Sequence, residues 1–161
     1  MAVDMFLKLD TVDGESIDSV HKGEIDILAF SWGASQGGTM HLATGGGAGK
    51  VNVQDVTITK YVDKATAKLW KAVCAGDHFA TATLTVRKAG GTAPVEYLVF
   101  TFEQIIITSV STGGSGGEER LTETASLNFA ICKFEYKGQD GAGVGKNDGN
   151  FGWKIAENVV A

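Results

Sequence analysis

Through residues 120–136 side-chain character changes at every second position. Leu121, Ala125, Leu127, Phe129 and Ile131 share one parity, and Thr122, Thr124, Ser126, Asn128, Ala130 and Cys132 share the other. A period of two belongs to a strand with unlike faces. A strand of this length, well above the usual five or six residues, has to bend across two sheets or around a barrel. The same period governs residues 78–88, where Ala80, Ala82, Leu84 and Val86 alternate with Phe79, Thr81, Thr83, Thr85 and Arg87. A turn at 89–92 (AGGT) then leads into a second strand at 95–103, and 104–110 continues as a third apolar stretch. The chain reads as mainly β.

One segment has helical spacing. Asp63 can act as an N-cap, Ala65, Leu69, Trp70, Val73 and Cys74 form a stripe, and Gly76 supplies the stop, which predicts one short helix over about 64–75. Leu69 and Val73 pack it on a sheet, and Trp70 is core filler or an interface contact. Two strands are irregular. In 24–32 both parities are largely apolar, with Ile25, Ile27 and Ala29 on one and Leu28, Phe30 and Trp32 on the other. In 51–62 the apolar parity shifts from Val51 and Val53 to Val56, Ile58 and Val62. A phase change marks a bulge or a passage between packing environments. A neighbouring subunit covering these surfaces accounts for both patterns, and a strand buried on both faces accounts equally well for the first.

Thirteen of the twenty-two glycines, against one proline, gather in three runs, GGGAGK at 45–50, STGGSGGEE at 111–119 and GQDGAGVGKNDGN at 138–150, which read as loops. At 161 residues the chain fits one domain, 1–161, with an extended glycine-rich arm at about 35–55 and a flexible segment at about 138–150. Fourteen basic residues scattered among nineteen acidic ones, net charge −5, argue against nucleic-acid binding and read as solubility. No apolar run approaches the roughly 20 residues that span a bilayer, so no membrane insertion is expected. The opening MAVDMFLKLD lacks a basic segment followed by an apolar stretch, so no cleaved signal peptide is expected. Cys74 and Cys132 read as two small buried thiols, consistent with folding in the cytoplasm.

Searches for chemistry end without a site. TGGGAGKV at 44–51 fails as a phosphate loop, because Thr44 and Val51 stand where Gly and Ser/Thr are needed, and a strand pattern follows. His21, His41 and His78 lack metal-ligand spacing, so no metal or other cofactor is expected. Ser31 in FSWG lacks a nucleophile elbow, Cys132 sits in a strand, and the pairs Glu24/Asp26 and Glu118/Glu119 read as solvated charges. The chain reads as a non-enzyme.

The segments MAVDMFLKLD, HKGEIDILAFSWG, GGGAGKVNVQDVTITKYVDKAT, LTVRKAGG, STGGSGGEERLTETASLNFA and FGWKIAENV closely resemble the haemolysin-coregulated protein (Hcp) family of type VI secretion. The resemblance implies a compact β-barrel of two antiparallel sheets with one short helix. It implies hexameric rings that stack into the inner tube of a contractile injection machine, with a spike protein at the tip and a sheath around the tube. It also implies export to the medium or a target cell and transport of small effector proteins in the lumen. By the same resemblance the FSWG strand contributes to the inner wall, which makes Ser31 the lumen-facing cargo contact. A ring needs two different patches on one subunit. The arm supplies one, with Gly46, Gly47, Lys50, Val51, Asn52, Val53 and Gln54 as interface residues. The strand pattern by itself also fits a carbohydrate- or surface-binding β-sandwich, which would display Trp32 and Trp153.

Overall fold

A computed structural model describes residues 3–42, 45–88 and 94–161. The chain forms β1 (Val3–Leu9), β2 (Ile25–Asp26), β3 (Ala29–Ser31), β4 (Ala34–Ser35), β5 (Asn52–Val53), β6 (Val56–Tyr61), α1 (Thr66–Ala75), β7 (His78–Lys88), β8 (Glu96–Gly113), β9 (Thr122–Gln139), β10 (Gly145–Lys154) and β11 (Val159–Val160). It is mainly β, with antiparallel pairing throughout. One sheet runs β11-β10-β9-β8-β7-β1-β2, β6 also pairs with β9 and β3 with β6, and β4-β5 forms a separate ribbon.

The long segments fold as one strand each, and both change face midway. The stretches read as 95–103 and 104–110 are the single strand β8. Its buried side chains are Phe100 and Phe102 on one parity and Ile105 and Ile107 on the other, across Gln104, which adopts a left-handed φ of 56°. In β9 the buried residues pass from Ala125, Leu127 and Phe129 to Cys132. The two changes fall at one level, between the pairs Glu103↔Ile131 and Ile105↔Phe129. Adjacent strands thus turn over together, which lets a single ladder wrap a core. Ile131, grouped above with Phe129, is only half-buried beyond this point.

The two irregular strands resolve the same way. Ile25 and Ile27 point into the core beside β1, then Phe30 and Trp32 do so beside β6. The backbone bonds change hands at the same place, Ile27 N–H donating to Met5 and Leu28 N–H to Thr59. The doubly apolar pattern is therefore two short strands, β2 and β3, that pair with different neighbours. In 51–62 the phase shift falls between β5, in the ribbon, and β6, in the main sheet, where Val56, Ile58 and Lys60 are buried.

Helix α1 starts later than predicted, because Asp63 sits two residues too early to be its N-cap. Asp63 Oδ1 instead accepts from Ala65 N–H at 2.9 Å, and its carbonyl from Thr66 N–H. Gly76 ends the helix at φ 70° with its N–H on the Ala72 carbonyl. Leu69 and Ala72 are buried, whereas Trp70 and Cys74 face outward. Of the two cysteines, then, only Cys132 is buried. The loop reading of 138–150 fails for residues 145–150, which pair with 135–139 of β9. A partner strand supplies the backbone bonds that a glycine-rich sequence does not advertise. The turn at 89–92 lies outside the described residues, but the strands flanking it pair from Arg87↔Glu96 onward.

Candidate functional site

Ser31 lies on the outward face of β3, exposed. Its cross-strand partner is Thr57, Thr57 pairs with Ser126, and Ser126 with Ser109. One step along the strands, Ala29 pairs with Thr59, Thr59 with Thr124, and Thr124 with Ser111. Two rows of small, mostly hydroxyl-bearing side chains therefore pave the face around Ser31. Thr57 and Ser126 share a hydrogen bond of 3.0 Å. The carboxylate in this neighbourhood, Asp55, accepts from Thr108 Oγ1 at 2.7 Å and Asn128 Nδ2 at 2.8 Å. The result is a polar surface of small side chains beside a carboxylate that is hydrogen-bonded to its own chain.

The arm residues divide between two places. Gly46 and Gly47 are at the far end of the hairpin, where Thr39 Oγ1 donates to the Gly47 carbonyl at 3.1 Å. Lys50 is exposed between the two ends. Asn52 pairs with Ser35 and Val53 with Ala34 at the root. Val51 and Val53 line a cavity with Trp32, Cys132, Phe151 and Trp153. Gln54 closes onto its own chain, its N–H donating to Gly33 and its carbonyl accepting from Trp32 Nε1 at 2.9 Å. Trp32 packs edge-on against Phe100, Phe102 and Phe129, and Trp153 lies against the same core. Neither tryptophan is the free aromatic platform that a sugar-binding sandwich presents. Trp153 Nε1 is buried with no acceptor among the described residues. The GGGAGK run leads into β5 and not into a helix; Thr44 lies outside the described residues.

Three charged clusters were not apparent in the sequence. Lys60 Nζ meets Glu123 Oε1 inside the fold and Asp63 Oδ1 at 2.9 Å. Thr66 donates to Glu123 Oε1 at 2.6 Å and Thr112 to Oε2 at 2.9 Å, with Trp70 Nε1 donating to Thr112 in turn. Burial alone pushes the Glu123 carboxyl up, but its bonds from Lys60, Thr66 and Thr112 outweigh that and hold it below the ordinary range. In the second cluster Arg87 bonds Asp18 at 2.6 and 3.1 Å and Asp4 at 3.1 Å, holding Asp18 well below the usual carboxylate range. In the third, His21 stacks on Phe6 at 4.4 Å, its ring nitrogens 2.9 Å from Glu24 and 2.7 Å from Glu96. Glu24 is thus committed to His21, while Asp26 is raised, mainly by burial. The only signal available beforehand was parity: Lys60 and Glu123 fall on the core-facing register of β6 and β9.

Among the described residues no group of His, Cys, Asp and Glu has metal-binding geometry, and no helix is long and apolar enough to cross a membrane. A family model described as "Type VI secretion system effector, Hcp" matches residues 6–136. The protein hcp1 of Pseudomonas aeruginosa is 55% identical over 163 residues, covering all of both chains. A crystal structure of Hcp1 from Salmonella typhimurium superposes with a TM-score of 0.79 at 34% identity over 100% of each chain. A structure described as a type six secretion system protein gives 0.93 at 33% identity over 99% of this chain and 100% of its own. The chain belongs to the Hcp family of type VI secretion proteins.

Proposed function

We propose that this chain is a structural subunit of the type VI secretion inner tube. Six copies form a ring, rings stack, and the tube leaves the cell with a spike protein at its tip and a contractile sheath around it. The face carrying Ser31, Thr57 and Ser126 lines the lumen and holds small effector proteins. The arm residues Gly46, Gly47, Lys50, Val51, Asn52, Val53 and Gln54 contribute to contacts between copies.

The observation that carries this reading is the hydroxyl-paved face. Small side chains leave the surface open, and its hydroxyls give a passing protein weak hydrogen bonds without a fixed charge to trap it. The role is structural and not enzymatic: Lys60 is paired with Glu123, Arg87 with Asp18, and His21 with Glu24 and Glu96, each pairing within the chain.

Light scattering with negative-stain imaging tests the assembly. Rings of six support the proposal, and a monomer at high concentration overturns it. Ser31→Gln tests the lumen: rings persist while the amount of co-purified effector falls. Unchanged recovery of every effector tested removes Ser31 from the role.

A further inference from the structure

Asp55 stands one residue before β6, and both of its carboxylate oxygens are held by its own chain. Oδ2 accepts from Thr108 Oγ1 at 2.7 Å and Oδ1 from Asn128 Nδ2 at 2.8 Å. Thr108 and Asn128 are exposed, and Asn128 follows Ser126 by two positions on β9, on the face shared with Thr57 and Ser31. The carboxylate therefore borders the hydroxyl rows with its orientation fixed before anything binds. A carboxylate offers about four acceptor positions, so two neutral donors leave room for more.

The hydrogen bonds orient the charge without answering it. Asp18 faces Arg87, and Asp63 and Glu123 face Lys60. Asp55 forms no ion pair among the described residues. The two hydroxyl rows, and the row of Asn128, Ile106 and His78 beside them, contain no Asp, Glu, Lys or Arg. An oriented anion beside a neutral field is complemented by a cation from outside the chain.

We propose that Asp55 selects which proteins this face holds, by pairing with a Lys or Arg side chain of the cargo. This rests on the lumen reading of the face and names the chemistry of its partner, a small protein with a basic patch. A solvent-exposed pair is weak and screened by salt, so it sorts cargo without trapping it. Fixing the carboxylate in advance favours the pair, because only the cargo side chain has to be ordered.

The test uses the full chain and three synthetic peptides, repeats of Gly-Lys-Ser, Gly-Gln-Ser and Gly-Glu-Ser, with affinities read by equilibrium dialysis. At low salt the Lys peptide is expected to bind about fivefold more tightly than the Gln peptide, with the Glu peptide weakest, and ~0.5 M salt erases the difference. Asp55→Asn brings the Lys peptide down to the Gln peptide's affinity. Asp13→Asn, which removes the same charge from an exposed position, leaves the preference in place. Equal affinities for the three peptides, or a preference that Asp55→Asn leaves intact, overturn the proposal. Loss of rings in Asp55→Asn, read by light scattering, also overturns it, because the carboxylate then serves contacts between copies. Ser31→Gln separates the two readings. If it weakens all three peptides while the preference survives Asp55→Asn, only the pairing fails; if it changes no affinity, the lumen reading of the face fails as well.

Discussion

Lys60 and Glu123 are cross-strand partners in the β6–β9 ladder, and both side chains are shut off from solvent. Removing Lys60 strands the Glu123 carboxylate in the core, which costs about 3–5 kcal/mol, whereas Lys60 without Glu123 still meets Asp63 Oδ1 at 2.9 Å, and replacing both partners with apolar residues of similar volume is often neutral. Lys60→Met is therefore expected to lower the melting temperature by roughly 6–20 °C, and Glu123→Gln by less. The double variant Lys60→Met/Glu123→Leu should recover most of the loss, as read by calorimetry.

Acid should unfold the protein through the same carboxylate. Glu123 and Asp18 have folded pKa values below their unfolded ones, so their contribution is complete above about pH 4–5 and lost as pH falls through the folded values. Asp26 acts in the opposite sense, because burial raises its pKa and costs stability at neutral pH that acid returns. Urea midpoints should hold steady from pH 7 to about 5 and then fall. Glu123→Gln flattens that decline, and Asp26→Asn raises the neutral plateau.

Gly14 is held where the backbone of Glu24 and Ile25 crosses it, in the space a Cβ would need. Gly14→Ala should cost about 1–3 kcal/mol by forcing the β1–β2 loop outward. Gly116→Ala, with open space around it, is the control and should leave the urea midpoint within error.

The two thiols should separate cleanly by reactivity. Cys74 is exposed, whereas Cys132 is buried and its pKa pushed up, first by desolvation. Intact mass after brief maleimide treatment should show one adduct on the folded protein and two in denaturant. Two on the folded protein would place Cys132 in a looser core than its burial indicates.

What the sequence disclosed follows from which signals are local. Alternation located β7 and β9, and the 51–62 phase shift marked where the arm meets the sheet. The turnover at Gln104 and Ala130 was hidden because each strand alone reads as an imperfect pattern; only pairing shows two imperfections at one level. The strand at 145–150 was hidden by its glycines. Lys60 and Glu123 were hidden because a charged residue on an apolar parity is ordinarily a break in the pattern, and the partner that makes burial tolerable lies 63 positions away. Ser31 as a lumen contact came from resemblance, whereas the arm at about 35–55 was read from its glycine run and the phase shift that follows it. The hydroxyl rows around Ser31 needed the register of four strands, which no single stretch of sequence carries.

The pairing of β6 has a consequence for synthesis. Val56, Ile58 and Lys60 are sealed by Leu127, Ala125 and Glu123, which leave the ribosome 71, 67 and 63 residues later. At about 5–20 residues per second, that interval lasts roughly 3 to 14 s. Throughout it the nascent chain carries a half-built apolar ladder, its N-terminal strands synthesised and their cover still to come. This is the interval in which aggregation or a holding chaperone competes with folding, and shortening it by circular permutation should raise the soluble yield.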